Sequence, residues 1–199
     1  MTALLDFAIL ANRVYSDKPQ FGSEDSASRA VVYNDNTPAF PGTNNIACWL
    51  ADLNFDTKKV EGMGEVHEGF HDAYSALAPQ LMTLTGTKYV TGHSEGAALA
   101  LMHAADLCLA GRPPVAVYAF EPPRVSVDDT LAKLFQAHSV KLILTNHGND
   151  VVPMVPRAVG DWRHPGELLP IPGAKHWFPN VDDHMMDGVI ADIQKYNIQ

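Results

Sequence analysis

Tyr89-Val90-Thr91-Gly92-His93-Ser94-Glu95-Gly96-Ala97 is the stretch on which the fold turns. Tyr89 to Thr91 reads as a short buried strand. Ala97 to Leu109 behind it reads as a strongly apolar helix, closed by Gly111 and Pro113. Between them lies Gly-x-Ser-x-Gly in a strand-turn-helix setting. The chemistry explains the spacing. A tight, strained turn lifts the serine hydroxyl to the top of a sheet, and a Cβ on either flank would strike the neighbouring strand or helix. The turn also points the N-terminal dipole of the new helix at negative charge developing beside the hydroxyl. A serine hydroxyl is a weak nucleophile until a base takes its proton. Ser94 is therefore the candidate nucleophile, and its partners are expected later in the chain in the order Ser, Asp, His. The blander reading is a tight strand-helix turn with a capping serine.

Outward from this stretch, helices and strands alternate. Leu4 to Val14 carries apolar residues at helical spacing. Ser16 to Arg29 is loop. Ala30 to Tyr33 and Thr37 to Phe40 are short strands around the turn Asn34-Asp35-Asn36. Glu68 to Leu84 reads as one helix. Val115 to Phe120 is a strand, Asp128 to Ala137 a helix with Ser126 or Asp128 near its cap, and Val140 to Thr145 another strand. Pro153 to Pro179 is rich in Pro and Gly and reads as irregular. Asp183 to Tyr196 is a closing helix. The pattern predicts an α/β fold, a central, mostly parallel sheet with helices on both faces. Sites in such folds lie at the carboxyl ends of strands, here after Phe40, Thr91, Phe120 and Thr145.

The 199 residues suit one domain. Apolar residues at 46% and charged ones at 19% are enough for a sizeable core. The formal charge of -9, with no basic cluster, leaves nucleic-acid binding without a footprint. It also disfavours strong attraction to anionic membranes. Cys48 and Cys108 are too few for a disulfide framework and read as free thiols. Met1 to Asp6 has no basic region before its apolar residues, and no apolar run reaches the roughly 20 residues of a membrane span. A cytoplasmic protein is the expectation. His67 and His71 stand at i and i+4, but with no third ligand nearby they read as structural, and neither metal nor cofactor is expected.

Beyond these local readings, the chain resembles the class 3 lipases, the fungal-type branch of the α/β-hydrolases. Five ordered segments carry the likeness: Phe40-Pro41-Gly42-Thr43, Trp49-Leu50-Ala51-Asp52-Leu53, Val66-His67-Glu68-Gly69-Phe70, Val90-Thr91-Gly92-His93-Ser94 and Asn149-Asp150-Val151-Val152-Pro153. Glu121-Pro122-Pro123-Arg124-Val125 looks like the family's Pro-Arg-Val element. The resemblance implies a single α/β-hydrolase domain over 1–199, with Asp150 as triad acid. The apolar residues after Asp150 suit a shielded carboxylate that orients the histidine. Five histidines follow the strand after the elbow helix: His138, His147, His164, His176 and His184. His147 is close to Asp150 in sequence, and His164 and His176 sit in the irregular segment. His184 resembles the family's Asp-x-x-His before a C-terminal helix and is the preferred base, with His176 next. The oxyanion hole should use the N–H of Glu95 and a donor from Thr43.

Three positions depart from the family pattern: Pro41 where Arg is usual, Glu95 where Leu is usual, and Ala97 where Gly is common. A carboxylate at position 95 near the pocket mouth favours small or polar esters, and burial would raise its pKa. Ile46, Trp49, Leu50 and Leu53 recur at helical spacing beside Thr43. They read either as a lid with transient lipid-interface contact or as a helix permanently docked on the core. The expected activity is cleavage of small-molecule or lipid esters through an acyl-enzyme. Thioesterase, feruloyl-type esterase and acyltransferase chemistry use the same triad, and a catalytically inactive binding module is the reading from another class. The sequence leaves the oligomeric state open.

Overall fold

A computed structural model of the chain describes residues 3–24, 26, 28–43, 45–157, 161–174 and 176–199. The helices are α1 (Ala3–Arg13), α2 (Ile46–Asp52), α3 (Glu68–Ser75), α4 (Ala78–Leu81), α5 (Glu95–Leu109), α6 (Thr130–Ala137) and α7 (Met186–Tyr196). The strands are β1 (Phe21–Gly22), β2 (Arg29–Tyr33), β3 (Thr37–Phe40), β4 (Thr57–Val60), β5 (Gly64–His67), β6 (Tyr89–His93), β7 (Ala116–Phe120), β8 (Lys141–His147) and β9 (Leu168–Ile171). Seven strands form one sheet in the order β1-β2-β3-β6-β7-β8-β9, and β4-β5 is a separate hairpin. Pairing is antiparallel from β1 to β3 and parallel from β3 through β9.

The period-2 alternation of β7 divides the core. Val117 and Ala119 join one cluster with Phe70 and Tyr74 of α3, the apolar side chains of α5, and Leu131 and Phe135 of α6. Ala116, Tyr118 and Phe120 face the other way, onto Leu4, Leu5 and Ala8 of α1 and Met186, Val189 and Ile193 of α7. Each large apolar side chain buried in this way contributes roughly 1.5–3 kcal/mol. The helix α5 is apolar all round because α3, α6 and the sheet surround it, and its alanines let it sit close to β6.

Several expectations needed correction. The helix expected over Glu68 to Leu84 is broken into α3 and α4. Pro79 at the start of α4 has no N–H to continue a helix from α3. The irregular stretch holds β9, a parallel strand beside β8 that accommodates Pro170 because it is the sheet's edge. The closing helix starts at Met186, and His184 ends a separate 3-10 turn, Asp182–His184. At α6 it is Asp128 that helps hold the entry, its Oδ1 accepting from Thr130 N–H at 2.8 Å. Its Oδ2 accepts from Glu65 N–H at 2.8 Å and ties the β4-β5 hairpin to the same corner. Asn44 within the 44–55 segment, and Ala158 to Gly160 and Lys175 within the irregular stretch, lie outside the described residues.

Candidate active site

The parallel strands β3, β6, β7 and β8 deliver Thr43, Ser94, Glu121 and Asp150 to the same edge of the sheet, beyond their carboxyl ends. Ser94 sits between β6 and α5 with φ 59 and ψ -130. Positive φ is strained for any residue with a side chain, so the surroundings must hold it there. They do so by close approach. A Cβ on Gly92 would run into the Gly96 carbonyl, and one on Gly96 into the Phe40 carbonyl. Ser94 N–H donates to Phe120 O at 2.9 Å, which clips the turn to β7.

Asp150 follows β8 and is wholly buried. Its Oδ1 accepts from Val152 N–H at 2.9 Å, and its Oδ2 accepts from His184 Nδ1 at 2.6 Å. His184 is brought to it from the turn before α7, 34 residues away in sequence. With Nδ1 engaged, Nε2 is the ring nitrogen left for a proton. That Nε2 and Ser94 Oγ are both buried without a hydrogen-bond partner among the described residues. Burial lowers the His184 pKa to about 3, so the imidazole is neutral at neutral pH and able to accept a proton. Ser94 and His184 are 1% and 3% exposed, so this conformation keeps bulk water off both.

The remaining histidines have other partners. His147 turns its ring to Asp192 at 2.9 Å and to the Asp183 carbonyl at 2.7 Å. His164 bonds to the Pro153 carbonyl at 3.0 Å. His176 stands 3.5 Å from Asp183 and is 38% exposed. His67 caps α3, its Nδ1 accepting from Phe70 N–H and its Nε2 donating to the Asn54 carbonyl. His71 pairs with Asp72 at the surface. The structural reading of His67 and His71 fits these contacts, and no metal-binding cluster occurs among the described residues.

One feature of the site was missed in the sequence. Gly42 N–H donates to the Tyr15 hydroxyl at 2.8 Å, and that hydroxyl bonds to His93 Nδ1 at 2.7 Å. His93 Nε2 lies 2.9 Å from the His184 carbonyl, which can only accept. His93 therefore donates at Nε2 and accepts the Tyr15 proton at Nδ1. Burial holds its pKa well below the usual range and so keeps it neutral. This relay ties the loop of Gly42 and Thr43 to the backbone of His184. The histidine inside the Gly-x-Ser-x-Gly motif was its only sequence signal.

Thr43 Oγ1 accepts from Asn45 N–H at 3.3 Å and keeps its own proton for another acceptor. Glu95 opens α5, where the first N–H groups have no intrahelical acceptor. Its carboxyl is half-buried, and burial raises its pKa. A cavity of about 260 Å³ is lined by Tyr15, Thr43, Ile46, His93, His184 and Met185, among others. Ile46 belongs to α2. Trp49 and Leu53 pack against the α5-side core, with Trp49 stacked on Phe70 at 6.2 Å, and Leu50 is half-buried. Asn45 caps α2 by accepting from Cys48 N–H.

Residues 38–160 match the family model for class 3 lipases. The chain is 30% identical over 174 residues to secreted mono- and diacylglycerol lipase 1 of Fusarium solani, covering 80% of this chain and 50% of that protein. It is 31% identical over 152 residues to secreted mono- and diacylglycerol lipase A of Penicillium cyclopium, covering 71% and 48%. The chain thus spans about half the length of these curated relatives. Among solved structures, Rhizomucor miehei triacylglyceride lipase has the same fold, with a TM-score of 0.72 at 23% identity over 86% of this chain and 82% of that one. The cytoplasmic placement expected from the N-terminal residues is overturned by the two curated relatives, both of which are secreted by name. The missing basic region before Leu4 does not decide the compartment. The sequence match over most of the sheet, together with the shared fold, shows that this chain belongs to the class 3 lipase family.

Proposed function

We propose that this chain, as one α/β-hydrolase domain, cleaves carboxylic esters through Ser94, His184 and Asp150. The observation that carries the reading is the pairing of His184 Nδ1 with buried Asp150, while His184 Nε2 and Ser94 Oγ are each buried without a hydrogen-bond partner among the described residues. Ser94 Oγ attacks the ester carbonyl carbon as its proton passes to His184 Nε2. Asp150 stabilises the imidazolium and fixes its tautomer. The oxyanion is met by the Glu95 N–H and by Thr43. Collapse breaks the bond to the alkoxide, which leaves with the proton from His184. Water, deprotonated by His184, then frees the acid from Ser94. The names of the relatives support acylglycerol-type esters as substrates, and Glu95 favours the smaller or more polar of them.

A fluorophosphonate probe should label Ser94, and p-nitrophenyl esters from acetate to palmitate should be hydrolysed, with short chains preferred. Absence of labelling in folded protein, with no ester turned over, would leave only a hydrolase fold used for binding. Turnover confined to thioesters, feruloyl esters or acyl acceptors other than water would move the chain to those chemistries.

The helix α2 is proposed as a cover that shifts when substrate enters, because its Ile46 lines the same cavity as Thr43 and His184. Trp49 is half-buried, so Trp49→Ala should lose about half of the 3–5 kcal/mol typical of a fully buried tryptophan. It should also change the ratio of activity on an emulsified ester to that on a soluble acetate. A full core-sized loss with both activities falling together would make α2 a fixed part of the core. A short-chain esterase should show no steep rise in rate at the emulsion point. A steep rise that Trp49→Ala blunts would assign α2 to contact with a lipid interface.

A further inference from the structure

His147 ends β8 with its side chain buried, and its ring meets an acceptor at each nitrogen. Nδ1 lies 2.7 Å from the Asp183 carbonyl, and Nε2 lies 2.9 Å from Asp192 Oδ2. A carbonyl and a carboxylate only accept, and a neutral imidazole carries a single N–H. Both contacts are hydrogen bonds only when both ring nitrogens are protonated. Asp192 is partly exposed and has Lys195 Nζ 3.6 Å from its other oxygen, so it meets the ring as an anion. The socket is close. A Cβ on Gly188 would come within 3.3 Å of the ring at Cε1, and one on Gly173 within 3.2 Å of Nε2. The backbone behind the ring is fixed as well. His147 N–H donates to Glu121 Oε2 at 2.7 Å, and Thr145 Oγ1 donates to Glu121 Oε1 at 2.9 Å.

We propose that His147 is a positioning residue, a buried imidazolium that pins the turn carrying His184 to α7 and so holds His184 at Asp150. The inference rests on the Ser94-His184-Asp150 reading of the site. The Asp183 carbonyl belongs to the peptide that leads into His184, so a tether on it acts on the backbone of His184 itself. The same residue is held through its carboxylate, whose Oδ2 accepts from Asn149 N–H at 2.9 Å and from Asn180 Nδ2 at 3.0 Å. Asn149 adjoins Asp150. The corner of residues 147–150 thus grips Asp183 twice, and this grip sets the 2.6 Å contact between Asp150 and His184. A neutral His147 has one N–H and must release either the turn or α7.

The other ionisable groups around the ring are Glu121 at the end of β7, Asp150, His184 and Asp183, the last with His176 3.5 Å away. Burial opposes the charge on His147, but the bonds to Asp192 and to the Asp183 carbonyl outweigh burial and raise its pKa above the usual 6.5. The linked stability is therefore complete below 6.5 and is lost as pH rises through the folded-state pKa. Burial raises the Asp150 pKa too, and the charge on His147 opposes that rise, which favours the carboxylate that His184 needs.

The test joins ring resonances to a pH profile. At about pH 7, above the value of a free imidazole, nitrogen-15 spectra should show protons on both ring nitrogens of His147, assigned through its backbone N–H. The downfield proton of the His184–Asp150 bond should fade as His147 titrates. Wild-type kcat should fall along the same alkaline limb with KM steady. Asp192→Asn keeps an acceptor oxygen and removes the charge, so it should move both changes to lower pH by about one unit. His147→Gln should lose roughly a hundredfold in kcat and show no alkaline limb, the size of loss that follows when a reacting group is slightly misplaced. A single ring N–H on His147 at neutral pH, or a limb that is absent from wild type or left in place by Asp192→Asn, overturns the proposal. If His147→Gln does not fold, Asp192→Asn alone still decides. A protein whose His184 proton follows His147 yet hydrolyses no ester upholds the clamp and refutes the esterase reading instead.

Discussion

Ser94→Ala should lower ester turnover by several orders of magnitude and leave the fold intact. The loss follows from removing the one group that forms the acyl bond. The intact fold follows from the surroundings. Ser94 Oγ has no hydrogen-bond partner among the described residues, so its removal leaves no donor or acceptor stranded. Alanine meets the same backbone strain as serine, so the turn is no worse off. Turnover of a p-nitrophenyl ester, read beside a thermal melt followed by circular dichroism, checks both halves. A variant within about tenfold of wild type would end the serine-hydrolase reading.

The second large effect belongs to His184. His184→Ala should match the loss in Ser94→Ala, and the double variant should be little worse than either, because nucleophile and base act as a unit. Here the fold is expected to suffer. Asp150 loses its 2.6 Å partner while remaining fully buried, a loss of about 1–3 kcal/mol for a stranded polar group. The melting temperature should fall accordingly. His176→Ala removes only a partly exposed contact at 3.5 Å to Asp183 and should stay active. An inactive His176→Ala beside an active His184→Ala would reverse the assignment.

The Ser94 turn was legible because its signal is local. Gly92 and Gly96 are each demanded by a backbone atom a few ångströms away, and the strand and helix flank them directly in sequence. The alternation of strands and helices gave the sheet for the same reason. The candidate base was ambiguous because its partner lies 34 residues away and the intervening chain is irregular. Only packing shows that His147 turns away to Asp192 while His184 turns toward Asp150. Pro170 concealed β9, since proline argues against a strand unless the strand is known to be an edge. The β4-β5 hairpin went unread, and it owes its place partly to Asp128, 63 residues beyond Glu65. Glu121 and Tyr15 were silent in sequence because each acts through contacts made across the sheet.

The strained backbone at Ser94 sets activity against robustness. Holding a non-glycine residue at φ 59 costs the folded state about 1–3 kcal/mol, a sizeable share of the margin of a small domain. Glycine adopts this conformation freely. Selection for stability alone would therefore replace Ser94 with glycine, giving an inert but sturdier molecule. A serine held there at that cost is the mark of a position chosen for something other than stability.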